Sequence, residues 1–350
     1  MNSPIAWPDP ARQAAFESWL GSFAPRYGID TRSLQPASAD ASFRRYLRVS
    51  GSGASYVVMD APPPLEDVRP FVHVAALIEA AGLPAPRVLQ ADAAQGFLLL
   101  SDLGDELYLA ALQDATPEQA DRLMRPVLSA LLQFQRAVPA AALPPFDTTL
   151  LARELALFPE WCVQREFGIQ WTATERLSWQ RICGLLIDSA LAQPVVAVHA
   201  DWMPRNLMVL PGTDAPGILD FQDAVAGPVT YDLASLLRDA FISWEEPQEL
   251  DWAVRWWEEA RRAGLPLHEA YADFAEFWRA LECMGLQRHL KVLGIFCRLK
   301  HRDGKPRYAQ DLPRFFAYAN RVALRYRPLS PLLKLLEPMS GAALAAGYTF

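Results

Sequence analysis

The sequence predicts an α+β chain of two lobes, a small β-rich lobe over residues 1–102 and a larger, mainly helical lobe over 103–350. Three observations carry this. The length, 350 residues, exceeds one ordinary domain. Before Asp102 the apolar residues come in short β-branched and aromatic runs separated by Gly, Ser and Pro. After Asp102 they recur at helical spacing over long segments.

Each element follows in order. Residues 43–60 read FRRYLRVSGSGASYVVMD, two strand-like runs joined by a Gly/Ser turn, which predicts a hairpin closed by the prolines after Ala61. Residues 72–81 predict a short helix ended by Gly82 and Pro84, and 96–100, GFLLL, a buried strand. Thr116, Pro117 and Gln119 make a capping-box start, and Leu123, Met124, Val127, Leu131 and Phe134 then keep helical spacing. Similar patterns predict helix over 174–191 and most of 252–326, while the Pro/Ala-rich 138–145 reads as a loop.

Composition excludes several classes. A net charge of -7 and a pI near 5.4 argue against a nucleic-acid partner, because phosphate binding needs a basic surface. Cys162, Cys183, Cys283 and Cys297 form no C-x-x-C pair, so they predict buried free thiols rather than disulfides or zinc. The first residues lack a basic segment followed by an apolar one, and no apolar stretch is long enough to span a bilayer. The expectation is a cytoplasmic protein with no membrane partner; nothing in the sequence sets its oligomeric state.

Residues 195–223 interrupt the helical lobe with brief apolar runs at 195–198, 207–209 and 217–219, and polar groups follow the ends of these runs. Asp201 and Asn206 lie on one loop, and Asp220 emerges from the neighbouring strand. Two carboxylates and an amide oxygen form a hard-oxygen set suited to magnesium with bound phosphates.

At these residues a resemblance is plain. His199-Ala200-Asp201, then Asn206, then Leu219-Asp220-Phe221 resembles the catalytic loop and metal-binding aspartate of the protein-kinase-like phosphotransferases. Gly227-Pro228 and Tyr231-Asp232-Leu233-Ala234 resemble the aminoglycoside phosphotransferase branch. Residues 219–244 and 289–308 are similar to bacterial anomeric kinases of N-acetylmuramate and N-acetylglucosamine, used in cell-wall sugar recycling.

The resemblance implies a protein-kinase-like fold, ATP and Mg2+ as cofactors, and a small sugar as substrate. It implies Asp201 as the proton acceptor and Asn206 and Asp220 as magnesium ligands. Ser42 and Phe43 fall in the segment that resembles the phosphate loop, and Ser101 and Leu103 in the one that resembles the adenine hinge. His199 is expected to pin the loop. Asp232 is expected as an N-cap that also braces the loop. Asp223 faces metal or substrate, or caps a turn.

One departure from the pattern concerns charge. Met59 stands where the phosphate-binding lysine belongs, and no lysine precedes Lys291. An arginine from Arg44, Arg45 or Arg48 is the economical substitute. Strand alternation places Arg45 with Leu47, and an apolar ceiling for adenine favours that face, hence Arg45, with Glu79 as its partner.

For the acceptor, Trp161 with Glu160, Trp202, Trp244, Gln287, Arg298 and His301 are candidates beside the motif or in the family-like stretch. A basic stretch, 288–307, fits a neutral or acidic sugar better than a polycationic aminoglycoside. An aminoglycoside or amino-alcohol kinase, and a pseudokinase acting as a binding module, remain the alternative readings.

Overall fold

The structure is a computed structural model that describes residues 5, 7, 9–38, 43–267 and 271–347. Its contacts divide the chain into two compact units, Met1–Tyr108 with Asn206–Asp223, and Leu109–Arg205 with Ala224–Phe350. A β-sheet dominates the first and helices the second, as a two-lobed protein-kinase-like α+β fold requires.

The first unit opens with helix α1, Pro10–Tyr27, which the periodicity reading missed. Asp9 caps it by accepting from Ala11 N–H, and Gly28, at φ 61°, ends it in the left-handed region. A five-stranded antiparallel sheet follows, β1 Asp30–Ser38, β2 Arg45–Ser50, β3 Ser55–Asp60, β4 Val88–Asp92 and β5 Phe97–Ser101, in the order β1-β2-β3-β5-β4. The predicted hairpin is β2–β3, with Ser50 opposite Ser55. Helix α2, Arg69–Ala80, starts three residues before the expected 72.

Period-2 alternation sorts this sheet cleanly. Leu47, Val49, Val58, Phe97 and Leu99 are buried with Phe16 and Leu20 of α1 in one core cluster. Met59, Leu98 and Leu100 alternate with them and are also buried. Gly96 carries φ 72°, and a Cβ there would sit 1.9 Å from the Ala61 carbonyl oxygen, so only glycine fits that turn.

The second unit begins beyond Tyr108, where helix α3, Tyr108–Gln113, leads to α4, Pro117–Ala137. Thr116 and Gln119 form the expected capping box. Helix α5, Thr148–Leu157, runs into a π-helical segment, Phe158–Glu166, followed by α6, Ala173–Leu191, which a second capping box, Thr172 with Glu175, initiates. Strands β6, Val195–Val198, and β9, Val225–Pro228, pair antiparallel, and the short β7, Leu207–Met208, and β8, Gly217–Ile218, pair within the first unit.

Helices α7 Tyr231–Leu237, α8 Glu246–Arg262, α9 Phe274–His301, α10 Leu312–Arg325 and α11 Pro331–Gly347 complete the chain. Helix α9 is the spine of the second unit, with a core that runs from Leu155 to Met339 around it. Its Gly294 lies so close to the end of α5 that an added Cβ would stand 2.5 Å from the Leu157 carbonyl carbon. All four cysteines are free thiols, as expected, but only Cys162 and Cys297 are fully buried, whereas Cys183 and Cys283 are half-buried. Among the described residues no helix is long and apolar enough to cross a membrane.

Candidate active site

In the second unit the loop after β6 carries His199, Ala200 and Asp201. Ala200 has φ 75°, a left-handed conformation that costs a non-glycine residue on the order of 1 kcal/mol or more. What holds it is Asp232, whose carboxylate accepts from the backbone N–H of His199 at 2.7 Å and of Ala200 at 3.0 Å. Asp232 is fully buried, and burial pushes its pKa up to about 7 against the pull of those two amides. The bracing role is therefore seen, whereas the N-cap role is not: α7 begins at Tyr231, Thr230 occupies the cap position, and Asp232 points back from the first turn.

His199 has no exposed surface, and its Nδ1 accepts from the Asp201 N–H at 3.3 Å, so it pins the loop as expected. Trp202 corrects an expectation. Its indole is completely buried, with ring centroids 5.6 Å from both His199 and Phe134, and so presents no platform to a ligand.

The Asp201 side chain is about half exposed, and the Arg288 guanidinium on α9 lies 3.6 Å from its Oδ1. Arg288 itself is almost wholly buried. One helical turn on, Lys291 donates to Glu154 of α5 at 2.7 Å and to the Tyr231 hydroxyl at 3.0 Å, while Gln287 donates to the other Glu154 oxygen at 2.9 Å. Burial alone would lower the Lys291 pKa, but Tyr231, Glu154 and Asp201 beside it raise it above the ordinary value. Sequence reasoning passed over Glu154 and Arg288; the 288/291 spacing on one helix face was the available signal.

The other acceptor candidates are spread through the second unit. Glu160 is exposed and Trp161 half-buried, both on the π-helical segment, and Glu160 lies within electrostatic reach of Arg298. Burial, then Arg302, lowers the Arg298 pKa. Trp244 is half-buried with its ring 5.0 Å from that of Trp252.

In the first unit Asn206 and Asp220 flank the β7–β8 ribbon, where Leu207 pairs with Ile218 and the Leu219 N–H donates to the Asn206 carbonyl at 2.9 Å. The ribbon is tied to its unit by Ile218 N–H to Pro84 and Val209 N–H to Glu106, each 2.8 Å. Asp220 has φ 60°, a second left-handed non-glycine residue, and accepts from Gln222 Nε2 at 2.9 Å. Gln222 also donates to the exposed Asp223 at 3.2 Å. Phe221 is buried with its ring 4.6 Å from Phe71 of α2.

The nucleotide-side candidates fare unevenly. Arg45 belongs to the face that α1 covers: its guanidinium pairs with Asp60, which Arg12 also grips, and lies 4.2 Å from the Trp7 ring centroid. The Leu47 face thus packs on α1, which overturns the inference that it roofs adenine. Glu79 is exposed, and Asp60 takes the role expected of it. Arg44 pairs with Glu66 at 3.0 Å.

Arg48, on the opposite face, forms a bidentate pair with Asp102 at 2.7 and 3.0 Å and reaches the Gly104 carbonyl at 2.6 Å. Burial would raise the Asp102 pKa, but Arg48 and Ser55 hold it below the usual range. Ser101 ends β5 with its hydroxyl accepting from Arg87 N–H, Leu103 is half-buried two residues on, and Met59 has no exposed surface. Phe43 is 63% exposed. Ser42 lies outside the described residues.

The donor set Asn206 and Asp220 offers amide and carboxylate oxygen, the chemistry magnesium prefers, and both residues are held by the ribbon that carries them. Among the described residues no group of three or more His, Cys, Asp and Glu side chains is placed to hold a metal ion.

Comparison with known proteins bears on fold and descent. The phosphotransferase enzyme family profile matches residues 33–277. An N-acetylmuramate/N-acetylglucosamine kinase of Pseudomonas putida is 51% identical over 317 residues, 91% of each chain. One of Pseudomonas aeruginosa is 49% identical over 342 residues, 96% of this chain and 99% of that one. Among solved structures, an ethanolamine kinase of Plasmodium vivax superposes with a TM-score of 0.61 at 11% identity, covering 89% of each chain. The GDP complex of an aminoglycoside 2'-phosphotransferase superposes with a TM-score of 0.60 at 14% identity, covering 87% of this chain and 97% of that one. Likeness at that identity speaks for the fold, whereas the profile match and the relatives near 50% speak for descent: the chain belongs to the phosphotransferase enzyme family.

Proposed function

We propose that this chain is an ATP-dependent kinase that phosphorylates the anomeric hydroxyl of N-acetylmuramate and N-acetylglucosamine. The observation that carries the reading is the braced loop, in which Asp232 fixes the strained Ala200 and so presents the half-exposed Asp201 carboxylate. Relatives of near-equal length that share about half of the residues carry that activity in their names.

Asp201 accepts a hydrogen bond from the attacking hydroxyl and takes its proton as the new O–P bond forms. The bond from the γ-phosphorus to the bridging oxygen breaks, and ADP leaves with those electrons. An anomeric hydroxyl is more acidic than other sugar hydroxyls, so a carboxylate has less proton-transfer work to do and positioning becomes the main demand. Asn206 and Asp220 would hold Mg2+, which when bound neutralises charge on the transferring phosphoryl group. Residues 1–102 serve the nucleotide, with Ser101 and Leu103 at the adenine and the backbone near Phe43 at the phosphates. Residues 103–350 serve the acceptor, with Glu160, Trp161 and Arg298 as contacts. ATP as donor places the reaction in the cytoplasm.

The test is magnesium-dependent ATP consumption over a panel of amino sugars, aminoglycosides and amino alcohols. The reading expects turnover with the two N-acetylated sugars; turnover confined to aminoglycosides or ethanolamine would sink it.

A further inference from the structure

The cations of α9 and the turn after it are mostly spoken for. Arg288 faces Asp201, Lys291 is held by Glu154, Lys300 and His301 share Glu166, and Arg302 pairs with Asp303. The basic stretch is therefore no open cationic surface. Arg298 and Arg307 are the exceptions, with no carboxylate at ion-pair distance among the described residues; Arg307 is exposed, and the half-buried Arg205 of the Asp201 loop likewise meets no carboxylate among them.

Both arginines converge on one phenol. Arg307 Nη2 lies 3.5 Å from the Tyr308 hydroxyl, and Arg205 bonds to the same group. Burial would raise the Tyr308 pKa, but the two guanidinium groups outweigh it and lower it. Tyr308 is 7% exposed, with its ring 5.2 Å from Phe296, and Arg205 lies 5.0 Å from the Phe241 ring centroid. Two positive groups are thus seated on an aromatic floor with no protein anion between them, which costs free energy that a bound anion would offset.

Arg205 follows Asp201 by four positions, so their Cα atoms are at most about 14 Å apart along any path of the chain. We infer that Arg205 and Arg307 form a subsite for a carboxylate on the acceptor, the lactyl group that N-acetylmuramate carries and N-acetylglucosamine lacks. The inference rests on the kinase reading above. The reacting carbon and the lactyl-bearing carbon are two positions apart on the sugar ring, so one acceptor reaches both Asp201 and this pair. A guanidinium fork grips a carboxylate with two parallel hydrogen bonds, which supplies direction as well as charge. Nucleotide phosphates are the other source of anions, and the experiment separates the two.

The experiment compares kcat/KM for both sugars, and KM for ATP, in the wild-type chain, Arg205→Gln, Arg307→Gln and Arg307→Lys. The ratio of N-acetylmuramate to N-acetylglucosamine kcat/KM should fall about tenfold or more in each glutamine variant and recover in part with lysine. Arg307 is exposed, so its replacement tests the inference even if Arg205→Gln proves unstable. An unchanged ratio, or a raised KM for ATP with the sugar ratio constant, would overturn the assignment. A wild-type chain inert toward both sugars would overturn the kinase reading itself and this inference with it.

Discussion

Among single residues, Asp201 and the carboxylate that braces its loop matter most to the proposed reaction. Asp201→Asn keeps the size and the loop but removes the proton acceptor, so kcat should drop ~100-fold or more with little change in KM for ATP. Near-normal steady-state turnover in that variant would contradict its role. Asp232 makes a separate, pH-dependent prediction. Burial raises its folded pKa to about 7 from the ordinary 3.8, so the folded state holds more protons between those values. Its contribution to stability is then fully present below about pH 4 and is lost as pH rises through about 7. Urea unfolding of wild type and Asp232→Asn across this range should show the wild-type chain losing stability relative to the variant as pH rises. A stability difference independent of pH would contradict the buried, upshifted carboxyl.

At the scale of elements, the second unit is organised by ion pairs set into its core. Arg238, just after α7, has no exposed surface and bridges Glu249 of α8 at 3.1 Å and Glu282 of α9 at 2.9 Å, both fully buried. Arg321 and Arg325 of α10 approach the same two carboxylates at 2.9 and 2.7 Å. Arg238→Met should cost about 3 kcal/mol in urea unfolding, because two buried carboxylates lose their shared cation while the α10 arginines still compensate in part. A loss below about 0.5 kcal/mol, typical of a surface pair, would show that the network adds little.

Elements were also where the sequence was most readable. The capping box at Thr116 and the long apolar spacing behind it announced α4, and apolar spacing alone announced α6, because those signals are local. The hairpin and the motif strands were legible for the same reason. Arg45 was misread because α1 was not foreseen: alternation sorts the residues of a strand into two faces but does not say which face a distant helix will cover. Trp202 was misread because a tryptophan between polar loop residues looks like a ligand platform until Phe134, far away in sequence, closes over it. Asp232 was expected as both N-cap and brace; only the brace is seen, because the helix begins at Tyr231 and the carboxylate turns back to the amides of His199 and Ala200, more than thirty residues upstream.

At the scale of the whole molecule, the proposed activity asks each unit for one service. The first carries Asn206 and Asp220 on a ribbon bound to its own β-rich body, and the second carries Asp201, proposed as the base, its brace, and the two arginines assigned above to the acceptor. Loss of the usual lysine at Met59 does not by itself imply a dead enzyme, because Asp201, Asn206 and Asp220 all remain in place. In the proposed reaction phosphate goes to the anomeric hydroxyl, where proton removal is easiest for a carboxylate. The most direct measurement is phosphate transfer from ATP to N-acetylglucosamine and to its 1-O-methyl glycoside, with phosphorus NMR locating the ester. The account predicts a 1-phosphate from the free sugar and no reaction with the glycoside; a 6-phosphate, or a methyl glycoside that reacts as well as the free sugar, would contradict it.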